Sequence, residues 1–369
     1  GDTGSQGDTG AQGATGAGSQ GAQGATGAQG SQGESTGGGV ALTESFVIAG
    51  DIATSGILYS YDGVTWAMSA SGNSIFVTYE WAVAWNGQQW LAGGVSSTPI
   101  AYSPDGIRWS GAASSSIFGT DVRAFAWNGS FWIAIGYLGV VGRSYDGVNW
   151  TSVGTLAISA QALAWNGTLW IAGGQNGLAY SYNGITWTTF SISNFAGTTS
   201  ITWNGSLWLI GGTSIAYSSD GVNWTISTSA TSVFTTSVGA IGWNGSIWVA
   251  GGGNGTISKM GYSTDGINWT EASSGSALFT PGIISALTWN GSRWIAGGNN
   301  TSAMAYSYNG ITWSALSSVN ALTTNCTALT SRRLPIFSTT DKKLTESFVI
   351  AGDLQNNRLM YSYDGITWT

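Results

Sequence analysis

One short pattern recurs eight times along this chain: Ser, any residue, Asp or Asn, Gly, two residues, Trp. Its acidic or amide position falls at Asp62, Asp105, Asp146, Asn183, Asp220, Asp265, Asn309 and Asp364. Repeated carboxylates are raw material for acid–base work, glycoside cleavage or metal binding. The copies at Asn183 and Asn309 argue against all three. Asn keeps an acceptor oxygen and tolerates a turn, but it carries no charge. The pattern therefore needs an acceptor rather than an ionised group, and its role is read as structural.

Other chemistry is sparse. The chain has no histidine, so a Ser-His-Asp triad, a Cys-His pair and a His-based metal site are excluded. No glycine-rich segment follows a strand and opens a helix to hold phosphate. The one cysteine, Cys326, occupies an apolar strand position and reads as a buried thiol. Glu44, Glu80, Asp121 and Glu271 read as solvated charges at strand ends and loops. No catalytic residue, cofactor or metal is expected, and the chain is not expected to be an enzyme. With 10 basic against 17 acidic residues the net charge is −7, a poor match to nucleic acid or anionic lipid. No apolar run approaches the ~20 residues a spanning helix needs, so membrane insertion is not expected.

The elements that would position these turns are short strands. A second motif, Trp-Asn-Gly, alternates with the first and places Asn at 86, 128, 166, 204, 244 and 290. Asn-Gly favours a type I′ hairpin turn, with φ > 0 at both central residues. Residues 162–188 are the cleanest unit. They predict four strands, Ala162–Trp165, Leu169–Ala172, Leu178–Ser181 and Ile185–Thr188. Trp170 and Trp187 would fill wide gaps, and Ala172, Gly173 and Gly174 narrow ones. Four antiparallel strands in about 40 residues make one β-propeller blade. The fold class is all-β: a propeller of four-stranded antiparallel blades spanning residues 42–369.

Ser60-Tyr61-Asp62-Gly63-Val64-Thr65-Trp66 resembles the Asp box of BNR-type propellers, found in sialidases, sortilin-like receptors and lectin-like propellers. The usual box has one more residue between Asp and Gly. The resemblance implies that the carboxylate accepts backbone N–H bonds inside the turn, with Trp packed beneath it.

Two ring closures fit. In the first, preferred, a strand near Ala328 completes the first blade, giving seven blades, with residues 344–369 surplus or opening a further module. In the second, eight units close as eight blades. Residues 42–51 and 344–353 carry the same ten residues, L-T-E-S-F-V-I-A-G-D, with Phe46 expected at the Trp position of its strand.

Residues 1–34 carry glycine at every third position on two phased runs, and 35–41 form a flexible joint. Strict G-X-Y spacing predicts a collagen triple helix, since only glycine fits at the axis; a flexible Gly-rich linker is the competing reading. A collagen arm makes the protein a homotrimer. Proline-poor, Thr- and Gln-rich arms resemble those of giant-virus and bacterial surface fibres. Asn128, Asn166, Asn204, Asn244, Asn254 and Asn290 stand in N-x-S/T sequons on expected turns and are candidate glycan acceptors.

The expected function is a structural and adhesive fibre at a cell or virion surface, whose propeller heads bind glycans or a receptor. The alternatives are a sialidase-like glycoside hydrolase, for which seven arginines and Arg333-Leu334-Pro335 offer thin support, and a purely structural coat or filament subunit.

Overall fold

The structure is a computed structural model that describes residues 46–51, 56–76, 79–299, 304–316, 326–331, 349–353 and 358–362. The chain divides into a unit of Gly1–Ala41 and a unit of Leu42–Thr369. The collagen-like arm at 1–34, the joint at 35–41, Glu44, Asp364 and Arg333-Leu334-Pro335 lie outside the described residues.

Seven four-stranded antiparallel sheets account for 28 of the strands. The blade of residues 160–190 shows why the sequence folds this way. Its strands are Ala160–Trp165, Trp170–Gly174, Gly177–Ser181 and Thr188–Phe190. Trp165 pairs with Trp170, and Trp170 with Ser181. The Asn-Gly turn is not type I′. Gly167 has φ +103°, whereas Asn166 is not among the residues with positive φ. Asn166 Oδ1 instead accepts the backbone N–H groups of Thr168 at 2.9 Å and Leu169 at 2.7 Å, while Asn166 N–H donates to Leu169 O at 3.2 Å. The side chain thus organises a four-residue loop, and the second strand begins at Trp170 rather than Leu169. The fourth strand also starts later than its sequence suggests, because Tyr182–Trp187 belongs to the turn.

The first strands of successive blades stand side by side around the axis, and the closing strand Cys326–Ser331 lies between those of the seventh and second blades. Cys326–Ser331 pairs antiparallel with Val47–Asp51, matching Ser331 to Val47. Seven blades close the ring, so the eight-blade alternative is overturned. The last units cannot add a blade, because the strand that would begin it already completes the first. Val349–Asp353 and Arg358–Ser362 form a separate two-stranded sheet.

The core lies between blades. Trp90, Trp132, Trp170, Trp208, Trp248 and Trp294 open the second strands and are fully buried. The first blade departs from the expectation for Phe46. Val47 pairs with Ser60 as Trp170 pairs with Ser181, so Val47 holds the Trp position and Phe46 precedes it. Phe46 covers Trp90 of the next blade at 5.5 Å between ring centroids, as Phe131 covers Trp170 at 5.8 Å. Gly173 is glycine because an added Cβ would strike Thr198, on the way into the next blade. Two short helices, Thr228–Val233 and Ser273–Phe279, follow the fourth strands of two blades, although no helical periodicity marks them. Ser227 caps the first, accepting from Ala230 N–H at 3.0 Å.

Candidate functional site: an indole-lined channel mouth

Antiparallel order puts the loop between first and second strands at the same end of every blade as the turn between third and fourth. Both motifs therefore decorate one face. Each first strand ends on that face at its Trp: Trp85, Trp127, Trp165, Trp203, Trp243 and Trp289. All six line a cavity of about 350 Å³ around the axis, joined at the seventh position by Ser331. Trp85 is buried and the other five are half-buried. Each rests on the fully buried Trp that opens its partner strand, with centroids 4.7 Å apart for Trp85–Trp90 and 4.9 Å for Trp243–Trp248. Thr202, Thr288 and Thr330 add hydroxyls to the lining. Among the described residues the lining holds no carboxylate, lysine or arginine.

The Ser-x-Asp/Asn-Gly turns surround this mouth with fixed dipoles. In each described copy, one oxygen of the Asp or Asn accepts two successive backbone N–H groups. For Asp146 these are Val148 at 2.9 Å and Asn149 at 2.7 Å; for Asn183, Ile185 at 2.9 Å and Thr186 at 2.8 Å. Asp62, Asp105, Asp220, Asp265 and Asn309 repeat the arrangement. The serine hydroxyl donates to the same oxygen and accepts from the glycine N–H, as Ser144 does to Asp146 at 3.0 Å and from Gly147 at 2.8 Å. Trp150 Nε1 donates to Gly147 O at 3.0 Å.

The second carboxylate oxygen is served from three residues on. Asn149, Asn223 and Asn268 donate side-chain N–H to Asp146, Asp220 and Asp265 at 2.7, 2.7 and 2.8 Å. Burial pulls the Asp146 carboxyl upward, but the Asn149 backbone and side-chain donors, Val148 N–H and the Ser144 hydroxyl outweigh it and hold it at about 2. Asp265 is likewise held at about 2, with Asn268 as the main donor against burial. For Asp220 the Asn223 backbone N–H leads, and the carboxyl lies further below its ordinary value. These three asparagines lie in the turns themselves.

The Trp-Asn-Gly asparagines repeat the Asn166 loop at Asn86, Asn128, Asn204, Asn244 and Asn290. Asn290 departs from the expected exposure. It is only 1% exposed, because the Gly63 turn of the first blade packs against it, and it is not accessible as a glycan acceptor. Asn128, Asn166, Asn204 and Asn244 are half-buried, and Asn254 is exposed.

Two carboxylates expected in solvent are ion-paired instead. Asp121 is buried, 3.0 Å from Arg123 Nη2, at the entry to its blade. Glu271 meets Lys259 Nζ at 2.8 Å across paired strands. Neither belongs to the mouth, and no group of three potential metal ligands occurs among the described residues. Sequence reasoning missed the indole ring. Its only signal was the regular Trp before each Asn-Gly, which does not say which end of a strand faces the axis.

Fold and geometry together define a seven-bladed β-propeller with an aromatic channel mouth. No known family pattern matches the chain, and no curated protein matches it. Among solved structures it is similar to the computationally designed Ika8 protein, at 14% identity and TM-score 0.53 over 87% of this chain and 94% of that one. It is also similar to YCF48 bound to D1 peptide, at 13% identity and TM-score 0.50 over 67% of this chain and 84% of that one. At these identities the likeness is one of fold. Among the described residues no helix is long and apolar enough to cross a membrane.

Proposed function

We propose that this chain is a non-catalytic adhesive protein of a cell or virion surface. Residues 1–34 act as a trimeric collagen-like stalk, and the propeller is a head that binds neutral glycans at its indole-lined mouth. The eight repeated turns belong, in this reading, to the Asp-box class.

One observation carries it: six tryptophans and several hydroxyls gathered around one opening whose described lining is without charge. Indole faces and edges pack against the C–H faces of sugar rings, and hydroxyls exchange hydrogen bonds with theirs. Glycoside cleavage asks for a carboxylate pair flanking the bond, and the described lining supplies none. Three heads on one stalk would turn weak single-site binding into avidity.

The test runs the full chain on a glycan array beside a glycoside-hydrolysis screen, with Trp243→Ala in parallel. Binding to neutral glycans without turnover, lost in Trp243→Ala while its melt stays cooperative, is the expected result. Turnover would replace this reading with the hydrolase. Silence in both assays would favour a coat subunit whose heads contact one another.

A further inference from the structure

The hairpin of Val349–Asp353 and Arg358–Ser362 repeats the hairpin of Val47–Asp51 and Gly56–Ser60, which completes the ring. The residues agree first. Positions 344–353 match 42–51 throughout, and Y-S-Y-D-G-I-T-W at 361–368 differs from 59–66 by one Val-to-Ile change. The pairing agrees as well. Val349 faces Ser362, Ile350 faces Tyr361 and Asp353 faces Arg358, just as Val47 faces Ser60, Ile48 faces Tyr59 and Asp51 faces Gly56.

The side chains that bind the first copy into the ring are the ones retained. Val47, Ala49 and Leu58 lie in the core shared with the seventh blade, and Phe46, Ile48 and Ile57 in the core shared with the second. At the matching positions the second copy carries Val349, Ala351, Met360, Phe348, Ile350 and Leu359. Four are identical, and the other two are swaps of similar volume, which packed cores tolerate.

Among the described residues one strand, Cys326–Ser331, is available to receive either copy. In the described ring Val47–Asp51 occupies it, and among the described residues the second hairpin is joined by no third strand. Residues 332–348 tether the second copy directly to the receiving strand, whereas the first copy is separated from it by the rest of the ring. A short tether raises effective concentration. Seating the second copy would also restore the chain order of the other six blades, in which the first strand runs on into the second.

We infer that the hairpin of Val349–Asp353 and Arg358–Ser362 is a second ring-closing element, able to displace the hairpin of Val47–Asp51 and Gly56–Ser60 from Cys326–Ser331 within the same chain. The displaced amino-terminal hairpin then leaves the ring, which stays closed without it. The inference is independent of the glycan reading, since it concerns closure and not the mouth.

Three full-length variants test it: Ile48→Asp, Ile350→Asp and the double change. Closure is read from the thermal melt and from the rate at which a thiol reagent labels Cys326, which is buried in the receiving strand. Each single variant should melt cooperatively and label as slowly as the parent. The double variant should lose the cooperative melt and label at least ~100-fold faster, since neither segment then closes the ring. An Ile48→Asp variant as open as the double would overturn the proposal, because the second copy would have failed to replace the first. A double variant indistinguishable from the parent would overturn it too. Protection of Ile48→Asp that disappears on dilution would place the exchange between chains and overturn the in-chain form.

Discussion

Gly63 in the first blade packs directly on Ile295 in the seventh: a Cβ added to Gly63 would overlap Ile295 Cδ1. The same contact recurs around the ring. Gly106 sits on Phe46 and Ile48, Gly184 on Ile133, Gly221 on Leu169 and Ile171, and Gly310 on Val249. Each turn glycine lies against the second strand of the blade before it, and Gly63 completes the cycle.

Gly221→Ala should therefore be costly twice over. Its φ is +78°, and the new Cβ would come within 2.6 Å of Leu169 Cδ2. Strain and overpacking together predict a loss of about 2–4 kcal/mol. Gly167→Ala keeps only the backbone cost, about 1 kcal/mol, since φ is +103° and nothing lies within 4 Å. Urea midpoints of the two variants check this, and equal losses would refute the interblade contact.

An Asn three residues on is found only in turns that carry Asp, although Asp62 is followed by Thr65 and Asp105 by Arg108. Asp146, Asp220 and Asp265 are followed by Asn149, Asn223 and Asn268, whereas Asn183 and Asn309 are followed by Thr186 and Thr312. Asp146→Asn would face the Asn149 amide with a second donor and should cost about 1 kcal/mol. Adding Asn149→Thr should recover most of it. Denaturant titration of the pair decides; no recovery in the double variant would disprove the matching.

Acid should weaken the ring through the same turns. A carboxyl whose folded value is depressed contributes stability above its unfolded value near 3.8, and that contribution fades as pH falls through the folded value. For Asp146 and Asp265, held at about 2, the window runs from about pH 4 down to about pH 2. Converting both turns to the Asn-and-Thr pairing should flatten the fall in Tm across that window while leaving the value at pH 7 little changed. Melts at pH 7, 4, 3 and 2 measure it, and an unchanged acid slope would count against these turns as its source.

Trp170 and Trp243 should separate stability from binding. Trp170 is fully buried between blades, and Trp170→Ala should cost about 3–5 kcal/mol through the cavity it leaves. Trp243 is half-buried at the mouth, so its removal should cost distinctly less. Thermal melts compare them, and an unchanged Trp170→Ala melt would refute its placement.

Much of this was legible in the chain. The alternation of two turn motifs gave the four-strand unit, and the strand at Ala328 gave the closure. The turn chemistry was less accessible. Asn166 spends its side-chain oxygen on two backbone groups, which removes the need for positive φ that Asn-Gly usually signals. Val47 was hidden behind Phe46 because only register with Ser60 shows which residue stands at the Trp position. Contacts from a neighbouring blade were invisible altogether. Gly63 buries Asn290 from more than two hundred positions away in the chain, and no local pattern carries that information.

Ser331 stands where six other blades present an indole, and its hydroxyl donates to Trp289 O at 2.8 Å. The wheel therefore has one marked spoke. A perfectly repeated rim would offer a guest seven indistinguishable orientations about the axis. This one has a small hydrophilic notch among bulky neighbours, so the opening has a compass direction. Restoring Trp at 331 would erase it.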